Sequence, residues 1–164
     1  MSRFLPQNNG FTLVEAIVAL VMVGIFAALA GFLMTQIASG YVFSRKNADT
    51  VQKAQIAMTR IGKELTAATA IAPSPAEPVT SAVTCTRTGP VVIAIALSGN
   101  AVRINGTTLI DRVTTFTLAY FDADGTATAT AADIRRIDIT LATVGADNAS
   151  STFTNRVNIS ESYW

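Results

Sequence analysis

From Ala16 to Met34 the chain runs without a polar side chain, and a single carboxylate, Glu15, stands at the head of that run. At about 1.5 Å of rise per residue, such a segment nearly covers the roughly 30 Å hydrocarbon core of a bilayer. A charged group at the centre of a helix in lipid costs up to about 3 kcal/mol. Near the end the cost is lower, yet a partner for Glu15 is still expected. No proline falls between Phe11 and Ala72, so one long helix is predicted to about Ala72. Within it, Val51, Ala54, Met58, Ile61, Leu65, Ala68 and Ala72 recur at alternating spacings of three and four. That is one apolar stripe, with Gln52, Lys53, Arg60, Lys63 and Glu64 on the remaining surface. The prolines at 73, 75 and 78 stop the helix.

The pattern then changes period. Residues near Ala82–Arg87 read as a weak strand. Val91, Ile93, Ile95 and Leu97 alternate with Val92, Ala94 and Ala96, predicting a strand apolar on both faces. Val102 and Ile104 meet Thr107 and Leu109 across Asn105-Gly106, a hairpin signal because both turn residues need positive φ. Phe116, Leu118 and Tyr120 share one face of the next strand, which Asp122–Gly125 turns. Thr126–Ala132 reads as a Thr/Ala loop. Ile137, Ile139 and Leu141, then Phe153, Val157 and Ile159, mark two closing strands with one wet face each, joined by a loop from Val144 to Ser151. A sheet with one apolar face and a helix with one apolar stripe must cover each other. The predicted class is α+β: a long N-terminal helix whose first part spans a membrane and whose second half packs on an antiparallel sheet. The expected division is a leader over 1–10, an apolar helix over 11–35, its amphipathic continuation over 36–72, a proline-rich loop over 73–82 and a β head over 83–164.

Composition narrows the chemistry. The chain has no histidine, which removes the commonest general base and metal ligand. Its one cysteine, Cys85, cannot form a disulfide within the chain and reads as a small strand residue. The formal charge of +1 hides a split. Five basic residues between Thr35 and Ala72 face two acids, whereas from Pro73 onward eight acids face six arginines. The basic helix reads as a solvated face. No glycine-rich phosphate loop, nucleophile–base pair or paired metal-ligand spacing is present, so neither an enzyme nor a cofactor is expected. Nucleic-acid binding has little support, because the head's arginines alternate with acids. Asp122 and Asp124 beside Gly125 are the one candidate for a metal, but a calcium loop needs more ligands and a closing glutamate, and a plain turn is favoured.

Gly10, then Phe11-Thr12-Leu13-Val14-Glu15, then the apolar run resemble the type IV pilin superfamily, which includes the pseudopilins of type II secretion. The resemblance implies cleavage between Gly10 and Phe11 by a membrane prepilin peptidase and N-methylation of Phe11. It implies that Glu15 neutralises the terminal amine of a neighbouring subunit during assembly, and that Gly24 and Gly31 supply helix flexibility. The physical chemistry agrees. Between subunits in lipid, each charge removes the other's desolvation penalty, and only one axial stagger permits that. The implied partners are other pilin or pseudopilin subunits, the prepilin peptidase and the inner-membrane assembly platform. The implied location is the bacterial inner membrane with the head outside, followed by a filament. Leu97–Arg103, Leu109–Val113, Phe116–Gly125 and Ile134–Leu141 further resemble J-class minor pseudopilins and W-type minor pilins, implying a subunit that initiates or tips the filament. Three plainer readings compete, of which a buried core helix is met by a run too long and too uniformly apolar for it. A secretory signal cut after Ala28-Leu29-Ala30 leaves Glu15 without a role and stops short of Met34. A single-pass anchor for a monomeric binding module has no use for Gly10 or Glu15.

Overall fold

A computed structural model describes residues 12–89 and 91–159. Helix α1 covers Leu13–Thr66. The strands follow as β1 (Ala68–Pro73), β2 (Val79–Thr80), β3 (Ala82–Arg87), β4 (Val92–Ser98), β5 (Ala101–Ile104), β6 (Thr107–Ile110), β7 (Val113–Phe121), β8 (Arg136–Val144) and β9 (Ser150–Asn158). The chain divides into two units, one ending at Val42 and the other beginning at Phe43. The first unit, among the described residues, is the apolar part of α1. The second holds the amphipathic part of α1 and every strand. The α+β class expected from the sequence is therefore present, with antiparallel pairing throughout.

The stripe on α1 is where periodicity put it. Ala54, Met58, Ile61 and Leu65 are buried, with Ala57 beside them. They join one core with Ile71, Val83, Ile93 and Ile95 from one sheet and with Phe116, Leu118, Ile137 and Ile139 from another. Truncating a fully buried leucine in such a core costs about 2–5 kcal/mol. Tyr120 brings a hydroxyl into this core. Its O–H lies 2.8 Å from Thr80 Oγ1, which in turn donates to the Ala82 carbonyl at 2.7 Å, so the phenol is the donor of the pair.

Three expectations need correction. The single sheet is two: a five-stranded sheet ordered β1-β3-β4-β5-β6 and a four-stranded sheet ordered β2-β7-β8-β9. A period of two is the same for either arrangement, so the pattern could not separate them. The helix ends at Thr66, not near Ala72, and Ala68–Pro73 is a strand paired with β3. Sheet pairing overrides the helix preference of the alanines there, aided by the β-branched Thr69 and Ile71. The Thr66 hydroxyl also turns back to the Gly62 carbonyl at 2.8 Å. The span 73–82 is not all loop, since Val79 and Thr80 pair with Ala119 and Leu118, and the sheets begin at Ala68 rather than 83. Strand β4 has the two apolar faces expected of it, of which one is covered: Ile93 and Ile95 are buried, while Val92 and Ala94 are exposed.

The turn chemistry holds. Asn105 and Gly106 take φ of 49° and 79°, joining β5 to β6. The 126–132 stretch is mostly irregular, with one bridge from Ala127 to Phe121 and a 3-10 turn beginning at Ala131. Between β8 and β9, Asn47 of α1 accepts the Ala146 N–H at 2.8 Å, fixing that loop to the helix.

Candidate functional site

The first turn of α1 is organised by Thr12. Its carbonyl accepts the Ala16 N–H at 3.1 Å, the first bond of the helix, and its hydroxyl accepts the Glu15 N–H at 3.3 Å. Thr12 is therefore the N-cap and Glu15 the third helical residue, the spacing of a capping box. Sequence reading passed over Thr12 as part of a motif. The signal was there as Thr-x-x-Glu ahead of an apolar run. A carboxylate in the first turn also meets the positive end of the helix dipole. Among the described residues, the Glu15 side chain is exposed and has no ion-pair partner.

Behind Glu15 the helix offers lipid-like surface on all sides. Leu20, Phe26 and Met34 are 72%, 67% and 70% exposed, and none of the most apolar 18-residue window is buried. By length and composition this helix is able to cross a membrane. It runs unbroken through Gly24 and Gly31, and a Cβ built at either would meet no atom within 4 Å outside the local helix backbone. In the single chain those positions are open surface, where a second helix is able to approach closely. Arg3, Gly10, Phe11 and the bond between the last two lie outside the described residues.

The other candidates resolve differently. Asp122 Oδ1 accepts the N–H groups of Asp124 at 3.0 Å and Thr126 at 2.7 Å, and Gly125 follows at φ 83°. One carboxylate oxygen is thus committed to an Asx turn. Among the described residues no group of three potential metal-ligating side chains occurs.

Glu64 is the residue that pattern reasoning misplaced. Assigned to the wet side of the stripe, it is 3% exposed. Its two oxygens take Arg60 Nε at 2.8 Å and Arg87 Nη1 at 3.2 Å, linking the end of α1 to β3. The i,i+4 spacing of Arg60 and Glu64 signalled half of this cluster; Arg87 was visible only after folding. Cys85 is fully buried close by, and its thiol donates to the Ile93 carbonyl at 3.6 Å. Burial, and then the charge of Glu64, push that thiol up to about 11. A protonated, enclosed thiol is a packing group rather than a nucleophile.

Residues 5–31 match the family model described as the prokaryotic N-terminal methylation motif. No curated protein and no solved structure matches the chain. The matched stretch contains Gly10, Phe11, Thr12, Glu15, Gly24 and Gly31. This prepilin-type motif, leading into a helix able to cross a membrane, supports a protein of the type IV pilin or pseudopilin kind that is a substrate of prepilin peptidase.

Proposed function

We propose that this protein is a structural subunit of a type IV pilus or type II secretion pseudopilus, and that it acts by polymerising rather than by catalysis. Prepilin peptidase cuts between Gly10 and Phe11, and Phe11 becomes N-methylated. The mature chain waits in the inner membrane with its head outside, then enters the filament by packing its N-terminal helix among others. The sequence features of the head favour a minor subunit that initiates or tips the filament.

The observation that carries the reading is Glu15: a carboxylate held in the first turn of a membrane-capable helix, without a partner among the described residues. In lipid that arrangement is costly until an amine arrives from a neighbour. The test is the mass of the mature N-terminus together with incorporation of Glu15→Ala. A chain beginning at methylated Phe11, whose Glu15→Ala form inserts in the membrane but does not enter filaments, is the expected result. A mature chain that keeps Gly10 would overturn it.

A further inference from the structure

The two sheets treat their outer faces differently. On the four-stranded sheet, Thr117 pairs with Thr140 and Thr140 with Thr154, while Asp138 sits between Ala119 and Arg156. Asp138 accepts from Arg156 at 2.9 and 3.1 Å. That face is polar and charged, as expected of the solvated side of an antiparallel sheet.

On the five-stranded sheet, two adjacent rows cross three strands. Ala72 pairs with Thr84 and Thr84 with Ala94; Ala70 pairs with Thr86 and Thr86 with Val92. Their neighbours along the strands, Ile71, Val83, Cys85 and Ile93, point into the core, so these six point away from it. Ala70, Ala72, Val92 and Ala94 are exposed, and Val92 keeps 55% of its surface. No charged side chain lies in either row; Arg103, opposite Ala96, stands at the border. The side chains are short, so the surface has little relief.

We propose that this outer face is an assembly surface, and that its occupant is the head of a neighbouring pilin-type subunit presenting a flat, uncharged surface. The inference rests on the filament reading above. Size selects the occupant. Three strands at about 4.8 Å and two rows at about 6.7 Å give on the order of 200 Å² of sheet. A free-standing protein complex needs roughly 800 Å² per partner. The patch is too small to hold two molecules in solution. It suits a contact between chains already held side by side by their helices, where effective concentration replaces area. The absence of charge selects the chemistry of the partner, since an ionic surface pressed against these rows would lose its hydration without compensation.

The experiment uses the full chain in cells that assemble the filament. Thr84→Lys and Ala94→Lys place a charge in the middle of the face at exposed or half-exposed positions; Thr140→Lys does the same on the other sheet. Incorporation is expected to fall at least tenfold for the first two and to stay within twofold for the third, with N-terminal processing normal in all. A photocrosslinking residue at position 94 in an otherwise unaltered chain covers the case of misfolding. It is expected to capture a processed pilin-type chain through an uncharged segment of its head. If the lysine variants incorporate normally while Glu15→Ala does not, the assembly surface is overturned and the filament reading stands. Capture of lipid, or of a protein without a prepilin N-terminus, also overturns it. If the unaltered chain is neither processed nor incorporated, both ideas fall together.

Discussion

Helix α1 carries two glutamates in opposite circumstances. Glu15 has no neighbour able to answer its charge among the described residues, and apolar side chains exposed on every side follow it. Glu64 is enclosed, with an arginine on each oxygen. The contrast separates two uses of a carboxylate. Where both partners belong to one chain, the acid is part of the fold and its loss is felt as instability. Where the partner is missing, as at Glu15 under the proposed filament reading, the loss should be felt only when molecules meet.

The largest effect is expected at Glu64. Glu64→Ala leaves two arginines without their shared acceptor and a gap against β3. Because both arginines reach solvent, the cost is set below the full penalty of a broken buried pair, at about 2–3 kcal/mol in denaturant unfolding of the solubilised chain. An unchanged unfolding midpoint would mean the cluster does not hold α1 to β3. Glu15→Ala is expected to leave that midpoint within about 0.5 kcal/mol, as for other surface changes. Its incorporation into filaments should nevertheless fall at least tenfold, and equal loss of stability in the two variants would erase the distinction.

Alkaline titration sharpens the comparison. The Cys85 thiol is pushed from its ordinary 9.0 up to about 11, so above pH 9 the unfolded chain releases a proton that the folded one retains. Stability from this source is complete below pH 9 and declines as pH rises towards 11, by roughly 2–3 kcal/mol in all. Tyr120, pushed up to about 12 by burial, extends the decline beyond pH 10. Glu64→Gln should shrink the Cys85 part, and Glu15→Gln should leave it alone. The smallest effect is expected at Thr143, whose hydroxyl is buried without a hydrogen-bond partner among the described residues. Thr143→Val should be neutral or stabilising by up to about 1 kcal/mol; a marked loss in thermal unfolding would show that the hydroxyl is satisfied.

What was legible in the sequence follows the same line. The apolar run and Glu15 are local features, and they stand where the residues put them. So do the 54–65 stripe and the Asn105-Gly106 turn, each fixed by a periodicity or a backbone requirement. Features decided by distant partners were not legible. Ala68 and Ala72 fit a helical stripe equally well, and only pairing with Thr84 and Arg87 makes them strand. Val79 and Thr80 look like loop until Ala119 and Leu118 are beside them. Glu64 looks wet until Arg87 arrives from β3. At the N-terminus the reverse holds: Thr12 was legible as a cap, and was overshadowed by the motif that contains it.

In the proposed filament, the bond from the Glu15 amide to the Thr12 hydroxyl would bear on assembly speed. A frayed end would have to be straightened at every docking event, at about 1–2 kcal/mol for each residue immobilised. With that turn already wound inside the single molecule, docking in such a filament would not have to order its backbone again.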